Sequence, residues 1–255
     1  MKKLPTPADT NRPLTAWVHG GNFFVKSFFH YEGEVILPET IFVSLDTFFL
    51  VHESPQVPLK TLDQSWIDTK EYIVQACALL GRAKAGQPLS PADRSTVLSL
   101  LGEPPGPAWP IYVFAVGEYP DERIVYIGKT NSDTNRFTSG HAAITALHNP
   151  KYNGLTKRLY LGTVTIYSDE GNYVPLEWLH PKKLRDSIWS DIEAQLIYHF
   201  QPELNSTLKS EDWSKNPVQI AFHNYSGTKS FDGEYIAAHR VVPEQDWFPL
   251  FEDES

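Results

Sequence analysis

The sequence is poor in sulfur, with one cysteine, Cys77, and one methionine, Met1, in 255 residues. A single thiol excludes a disulfide framework and any zinc site built on several thiolates, and it fits a reducing compartment. No apolar run approaches the ~18 residues needed to span a bilayer. The opening Met1-Lys2-Lys3-Leu4-Pro5 leads into polar sequence instead of the apolar core of a secretion signal. The expectation is a soluble, cytoplasmic protein with no membrane contact. An excess of positive charge is also missing. With 22 Lys+Arg against 31 Asp+Glu the formal net charge is -9, which argues against a protein that coats nucleic acid non-specifically. The acid is unevenly spread, because residues 207–255 hold 4 of the basic and 9 of the acidic side chains. There is no internal repeat and no HExxH pair, no serine sits in a nucleophile elbow, and Gly20-Gly21-Asn22 lacks the spacing of a phosphate-binding loop.

What is present is core-forming material. Hydrophobic residues make up 41% of the chain and aromatics 13%, a composition that excludes global disorder. The first segment, 1–102, opens with aromatic-rich extended stretches at 22–31 and 34–51. Two helical patterns follow. In 63–82, Trp66, Ile67, Ile73, Val74, Cys77 and Leu80 recur at helical spacing, and Ser90-Pro91 supplies an N-cap and first-turn proline for a helix ending near Leu101-Gly102. Residues 103–110, with four prolines, forbid both helix and central strand and read as a stiff connector. Beyond it, 111–116 and 124–128 read as a hairpin, 138–148 and 188–200 as helices, and 161–167 as a third strand. Residues 207–255 form an acidic C-terminal extension with short apolar pieces at 218–222 and 235–242. The first segment thus reads as a mixed N-terminal domain.

If the hairpin closes with Val116 opposite Ile124, Phe114 faces Tyr126, and Tyr112 lies diagonal to it on the same side, so two phenols share one face. Gly128 then leaves room for close approach, and Lys129 offers a cation at the strand end. In the last helix Ile188, Ile192, Leu196 and Phe200 mark the buried stripe, with Glu193 at its margin. Each of these residues alone has an ordinary structural role as core aromatic, solvated arginine or exposed helix glutamate. Taken together they form a set. Ile111-Tyr112-Val113 and Tyr126-Ile127-Gly128 resemble the paired motifs of the GIY-YIG nuclease superfamily. The resemblance extends to Arg136 at a helix entrance, Glu193 in a later helix, and Asn205 in Gln201-Pro202-Glu203-Leu204-Asn205, and it covers residues 111–206.

The resemblance implies an α/β (α+β) catalytic module, a small three-stranded, mainly antiparallel sheet flanked by helices. It implies metal-dependent hydrolysis of phosphodiesters in double-stranded DNA. Glu193 would hold Mg2+, with Mn2+ as a substitute, since one carboxylate suffices when water and a phosphate complete the shell. Arg136 would face the growing charge on the phosphate. Tyr112 would activate or orient the attacking water with help from His141 or Lys129, Tyr126 would position the phosphate, and Asn205 would brace the end of the helix. His141 departs from the family pattern, lying five residues after Arg136 where four is common. On a continuous helix that interval turns the two about 140° apart. Gly140, with Thr138 and Ser139 as N-cap candidates, offers a later helix start. His148 is a weaker candidate for the same role. Within the class a restriction-type endonuclease cutting as a homodimer is favoured, because the added segments have the bulk to read sequence and pair subunits. A repair or mobile-element nuclease shares the same core, and a non-cleaving nucleic-acid- or protein-binding module is the reading from another class.

Overall fold

In a computed structural model the residues described are 13–19, 38–81, 89–131, 137–138, 140–168, 173–211, 213–215, 218–231 and 233–237. Arg136 and Ser139, and the strand expected at 22–31, lie outside them. The elements in chain order are α1 (Pro13–His19), β1 (Pro38–Leu50), α2 (Leu62–Leu79), α3 (Pro91–Leu101), β2 (Ile111–Val116), β3 (Arg123–Lys129), α4 (Ala142–Ala146), β4 (Lys157–Ser168), β5 (Tyr173–Pro175), α5 (Lys182–Phe200), β6 (Gln219–Asn224) and β7 (Glu234–Ile236).

The protein is mixed α/β, and its strands form one sheet in the order β3-β2-β4-β1-β6-β7, with β5 also on β4. Only β1 and β6 pair in parallel; the other pairings are antiparallel. The sheet is therefore larger than the three strands expected from 111–206. Apart from β5, which lies inside that segment, its additional strands come from both sides of it. β1, from before the proline-rich connector, lies between β4 and β6, and the extension after 206 supplies β6 and β7.

The connector is docked against the fold. The Pro110 carbonyl accepts from the Trp189 indole N–H at 3.2 Å and from the Thr130 amide at 3.0 Å, and Ala108 is buried.

Local signals set most element ends. α3 begins with a capping box between Ser90 and Asp93, carries Pro91 in its first turn, and ends at Gly102 with φ 76°. α5 stops at Gln201, in the left-handed conformation at φ 48°, just before Pro202. It starts six residues earlier than its apolar stripe suggests. α2 is rotated relative to the expected stripe. Leu62, Trp66, Thr69, Ile73 and Ala76 are buried, while Ile67 and Val74 are exposed. The helix expected over 138–148 shrinks to α4, because Gly140 takes φ 83° and Asn149-Pro150 opens a separate 3-10 turn.

Alternation along the strands divides the core between the two faces of the sheet. On one face Ile111, Val113, Ile127, Val164, Ile41 and Val43 pack with Ile188, Ile192 and Leu196 of α5 and with α2. On the other, Tyr112, Phe114, Leu159 and Leu161 pack with Phe137, Ala143 and Leu147 around α4. β3 is the end strand, so the two faces meet along its outer edge.

Candidate active site

The β2–β3 register follows the expected pairing over its inner part: Tyr112 opposes Gly128, and Phe114 opposes Tyr126. It departs at the outer end, where a bulge after Phe114 sets Ala115 against Ile124 and Val116 against Arg123. Since the bulge lies beyond Phe114, it does not disturb the two tyrosines. Their rings stack with centroids 6.0 Å apart and planes 24° from parallel. Gly128 permits this arrangement. A Cβ on residue 128 would stand 2.5 Å from the Tyr112 hydroxyl oxygen and 2.9 Å from a Tyr126 ring carbon.

His141 joins the phenols. Its Nε2 lies 2.9 Å from the Tyr112 hydroxyl, and its ring meets the Tyr126 ring edge to face at 5.4 Å. The helix begins at Ala142, so the N-cap is His141 itself, neither Thr138 nor Ser139. The cap also fixes the tautomer. The Ala143 amide donates to Nδ1 at 3.2 Å, so in the neutral ring the proton sits on Nε2 and is donated to the Tyr112 oxygen. With Gly140 at φ 83° before the cap, no continuous helix joins position 136 to His141, and the 140° objection does not apply. Tyr112 is 1% exposed, buried more deeply than a group in direct contact with substrate; Tyr126 is half-buried. His148 lies away from the phenols, lining a separate cleft with His52 and Lys157.

Lys129 and Glu193 belong to the opposite face. Lys129 alternates with Gly128 along β3 and shares the Ile127 side, against which α5 packs. Its ammonium stands 3.4 Å from Glu193 Oε2, donates to Ser190 Oγ at 2.7 Å, and lies over the Trp189 ring at 5.3 Å. The Glu193 side chain is 19% exposed and turned toward the end of the hairpin. It opens on a cleft of about 460 Å3 that Lys183, Trp213 and Lys215 also line. Neither tyrosine lines that cleft. The structure thus makes two clusters, the phenols with His141 and the carboxylate with Lys129, which flank the last two residues of the edge strand.

Asn205 ties that strand down. Its side-chain oxygen accepts from the Ile127 amide and its nitrogen donates to the Ile127 carbonyl, both at 2.9 Å, while the Leu204 amide donates to Val125. The brace therefore acts on β3, where the sequence suggested the end of the helix. It covers the outer edge of β3 through Ile127 and stops short of Gly128 and Lys129.

Among the described residues no three His, Cys, Asp or Glu side chains gather in a way that could hold a metal. The donors at the cleft fit a hydrated hard cation with a single protein ligand: Glu193 is half-buried, and an ammonium already occupies the cationic position beside it. Lys183, Lys215 and Trp213 did not figure in the sequence reading. One signal for Lys183 was present, because positions 183, 187, 190 and 194 follow one helical face that ends beside Glu193. No protein-family model matches the chain, and no curated protein or solved structure matches it.

Proposed function

We propose that this protein is a metal-dependent endonuclease that hydrolyses phosphodiester bonds in double-stranded DNA, on the pattern that its GIY-YIG resemblance implies. One observation carries the proposal. Two phenols, an imidazole, an ammonium and a carboxylate from separate parts of the chain flank the same two residues of an edge strand, Gly128 and Lys129. The antiparallel run β3-β2-β4, with α5 packed against β3, supports the module that the resemblance implies.

In this reading Glu193 holds Mg2+ or Mn2+, which supplies a Lewis acid for a phosphoryl oxygen. Tyr126, the more accessible phenol, meets the phosphate. Tyr112 acts as a positioning residue, receiving the Nε2 proton of His141 in a hydrogen bond and stacking on Tyr126. His141, whose two ring nitrogens are engaged by the Ala143 amide and Tyr112, holds that phenol in place. Lys129 and Arg136 counter the charge that grows on the phosphate as water adds and the 3′ oxygen leaves, giving 5′-phosphate and 3′-hydroxyl ends. β1, β6, β7 and α1–α3, added around the module, favour a restriction-type enzyme that pairs as a homodimer to cut both strands.

Nicking of supercoiled plasmid with and without Mg2+ tests the reading. The wild type is expected to cleave only with metal. Glu193→Ala should abolish cleavage while keeping the wild-type unfolding curve, since Glu193 lies at the margin of the buried stripe. Cleavage retained by Glu193→Ala sinks the assignment of the carboxylate, and a wild type inert in both Mg2+ and Mn2+ sinks the enzyme.

A further inference from the structure

The Glu193 cleft has a wall that the nuclease resemblance does not reach, because it is formed by residues 213–215, beyond position 206. Trp213 in that wall is 56% exposed. Among the described residues it is the only exposed tryptophan, and an indole in a cleft wall offers an apolar face to a ligand. The wall is held in place. Asp191, a buried carboxylate on α5, accepts from the Lys215 amide at 2.8 Å, and Ser214 between the two is buried. The stretch before it is tied as well. Gln201 donates to the Lys209 carbonyl at 3.0 Å, and Lys209 donates to the Pro202 carbonyl at 2.9 Å.

The charges around Trp213 fall into two groups. Glu193 faces Lys129, Asp186 accepts from Arg185 Nε at 3.1 Å, and Asp191 holds the Lys215 backbone. Lys183 and Lys215 line the same cleft as Trp213, and among the described residues no ion pair joins either ammonium to a carboxylate. Lys129, by contrast, is paired with Glu193 in the same cleft, so the charge that these two ammonium groups bring to it is not offset by a carboxylate of their own.

An exposed indole that shares a cleft with two cations is the chemistry that grips a nucleotide whose base has left the duplex stack. The base stacks, and the neighbouring phosphates are neutralised. We propose that Trp213, Lys183 and Lys215 form a nucleotide subsite beside the cleavage centre, in which an unstacked base next to the scissile phosphate lies on Trp213. The inference rests on the endonuclease reading and extends it to how the substrate strand is held. A base stacked within a duplex presents no free face to the cleft, so the subsite also requires local opening of the DNA.

Fluorescence anisotropy with a labelled duplex oligonucleotide spanning the mapped cleavage point, with Ca2+ replacing Mg2+, tests the proposal. Trp213→Leu, which keeps apolar bulk but has no π face, should weaken binding roughly tenfold or more, and Trp213→Phe should restore most of it. Lys183→Gln and Lys215→Gln should each lower the salt dependence of binding by about one counterion. An abasic site at the stacked position should weaken the wild type to the level of Trp213→Leu and cost that variant nothing more. Equal binding by Trp213→Leu and Trp213→Phe, or the same abasic penalty in both, overturns the subsite. If that happens while Glu193→Ala still abolishes cleavage, the endonuclease reading stands and the subsite alone falls. A wild type that neither cuts nor binds DNA removes both.

Discussion

Replacing Gly128 by alanine tests the hinge of the site, because the glycine is required by contact and not by backbone strain. The added Cβ would stand 2.5 Å from the Tyr112 hydroxyl oxygen and 2.6 Å from the ring carbon that bears it, where ordinary contact begins at 3.4 Å. The ring must therefore retreat by about 0.9 Å. It has little room to do so. Tyr112 is packed edge-on against Phe114 at 5.9 Å, Phe137 at 5.2 Å and His141 at 5.6 Å. A move of that size either stretches the 2.9 Å bond to His141 Nε2 beyond hydrogen-bonding range or drives the imidazole off its cap on Ala143. Overpacking of this kind costs about 1–3 kcal/mol, which for a chain of this length lowers the melting temperature by roughly 2–12 °C. The expected result in thermal unfolding is a cooperative transition shifted down within that range. In the plasmid assay cleavage should fall far more than the small loss of folded protein explains. An alanine variant as stable and as active as the wild type refutes the steric reading of Gly128 and the coupling of Tyr112 to His141.

Two further outcomes follow from the same geometry. Asn205→Ala removes both side-chain hydrogen bonds to Ile127 and should cost about 1–3 kcal/mol. In hydrogen exchange the Ile127 amide should lose protection while that of Val113 keeps it, and unchanged protection at Ile127 argues that the brace does not hold the edge strand. Glu177 gives a pH dependence. Burial pushes its carboxyl above the ordinary value, opposed by hydrogen bonds from Ser65 and the Ala108 amide and by the distant Lys60 charge. The folded state therefore binds this proton more tightly than the unfolded chain does. The stability gained is complete below the usual 4.5 and is lost as pH rises through the higher folded-state value. Urea unfolding across that window should show stability falling with pH in the wild type and falling less steeply in Glu177→Gln. Equal slopes count against a protonated Glu177.

Features encoded locally were legible in the sequence, and those encoded by long-range pairing were not. Ser90, Pro91 and Gly102 delimit α3 because capping depends on three or four neighbouring residues. The hairpin register was legible over Tyr112–Phe114 because a one-residue slip would turn Tyr112 and Phe114 out of the core they share with Leu159 and Leu161. The bulge after Phe114 was not, since one extra residue in β3 leaves the apolar alternation on either side intact. The central position of β1 had no local signal at all. Its partners β4 and β6 lie more than 100 residues downstream, and the parallel β1–β6 pair requires a connection that no periodicity reports. α2 was misphased because Ile67 and Val74 count as core candidates by residue type, and only packing against the sheet shows that they face water.

The identities of the site residues were legible, but the side of the sheet each would occupy was not. Tyr112, Tyr126 and His141 lie on one face and Lys129 and Glu193 on the other, a separation that would divide a site on any interior strand. β3 is the end strand, and the Asn205 brace engages it at Ile127, so the two faces come together at the last two strand residues, Gly128 and Lys129. The Lys129–Glu193 contact fits this arrangement. At 3.4 Å it is longer than the 2.7 Å bond from the same ammonium to Ser190 Oγ, and the Trp189 ring also holds that ammonium. A cation arriving at Glu193 can therefore displace Lys129 from the carboxylate without stripping it of partners. On the endonuclease proposal the released ammonium would stay at the strand end, within reach of a phosphate held between the two faces.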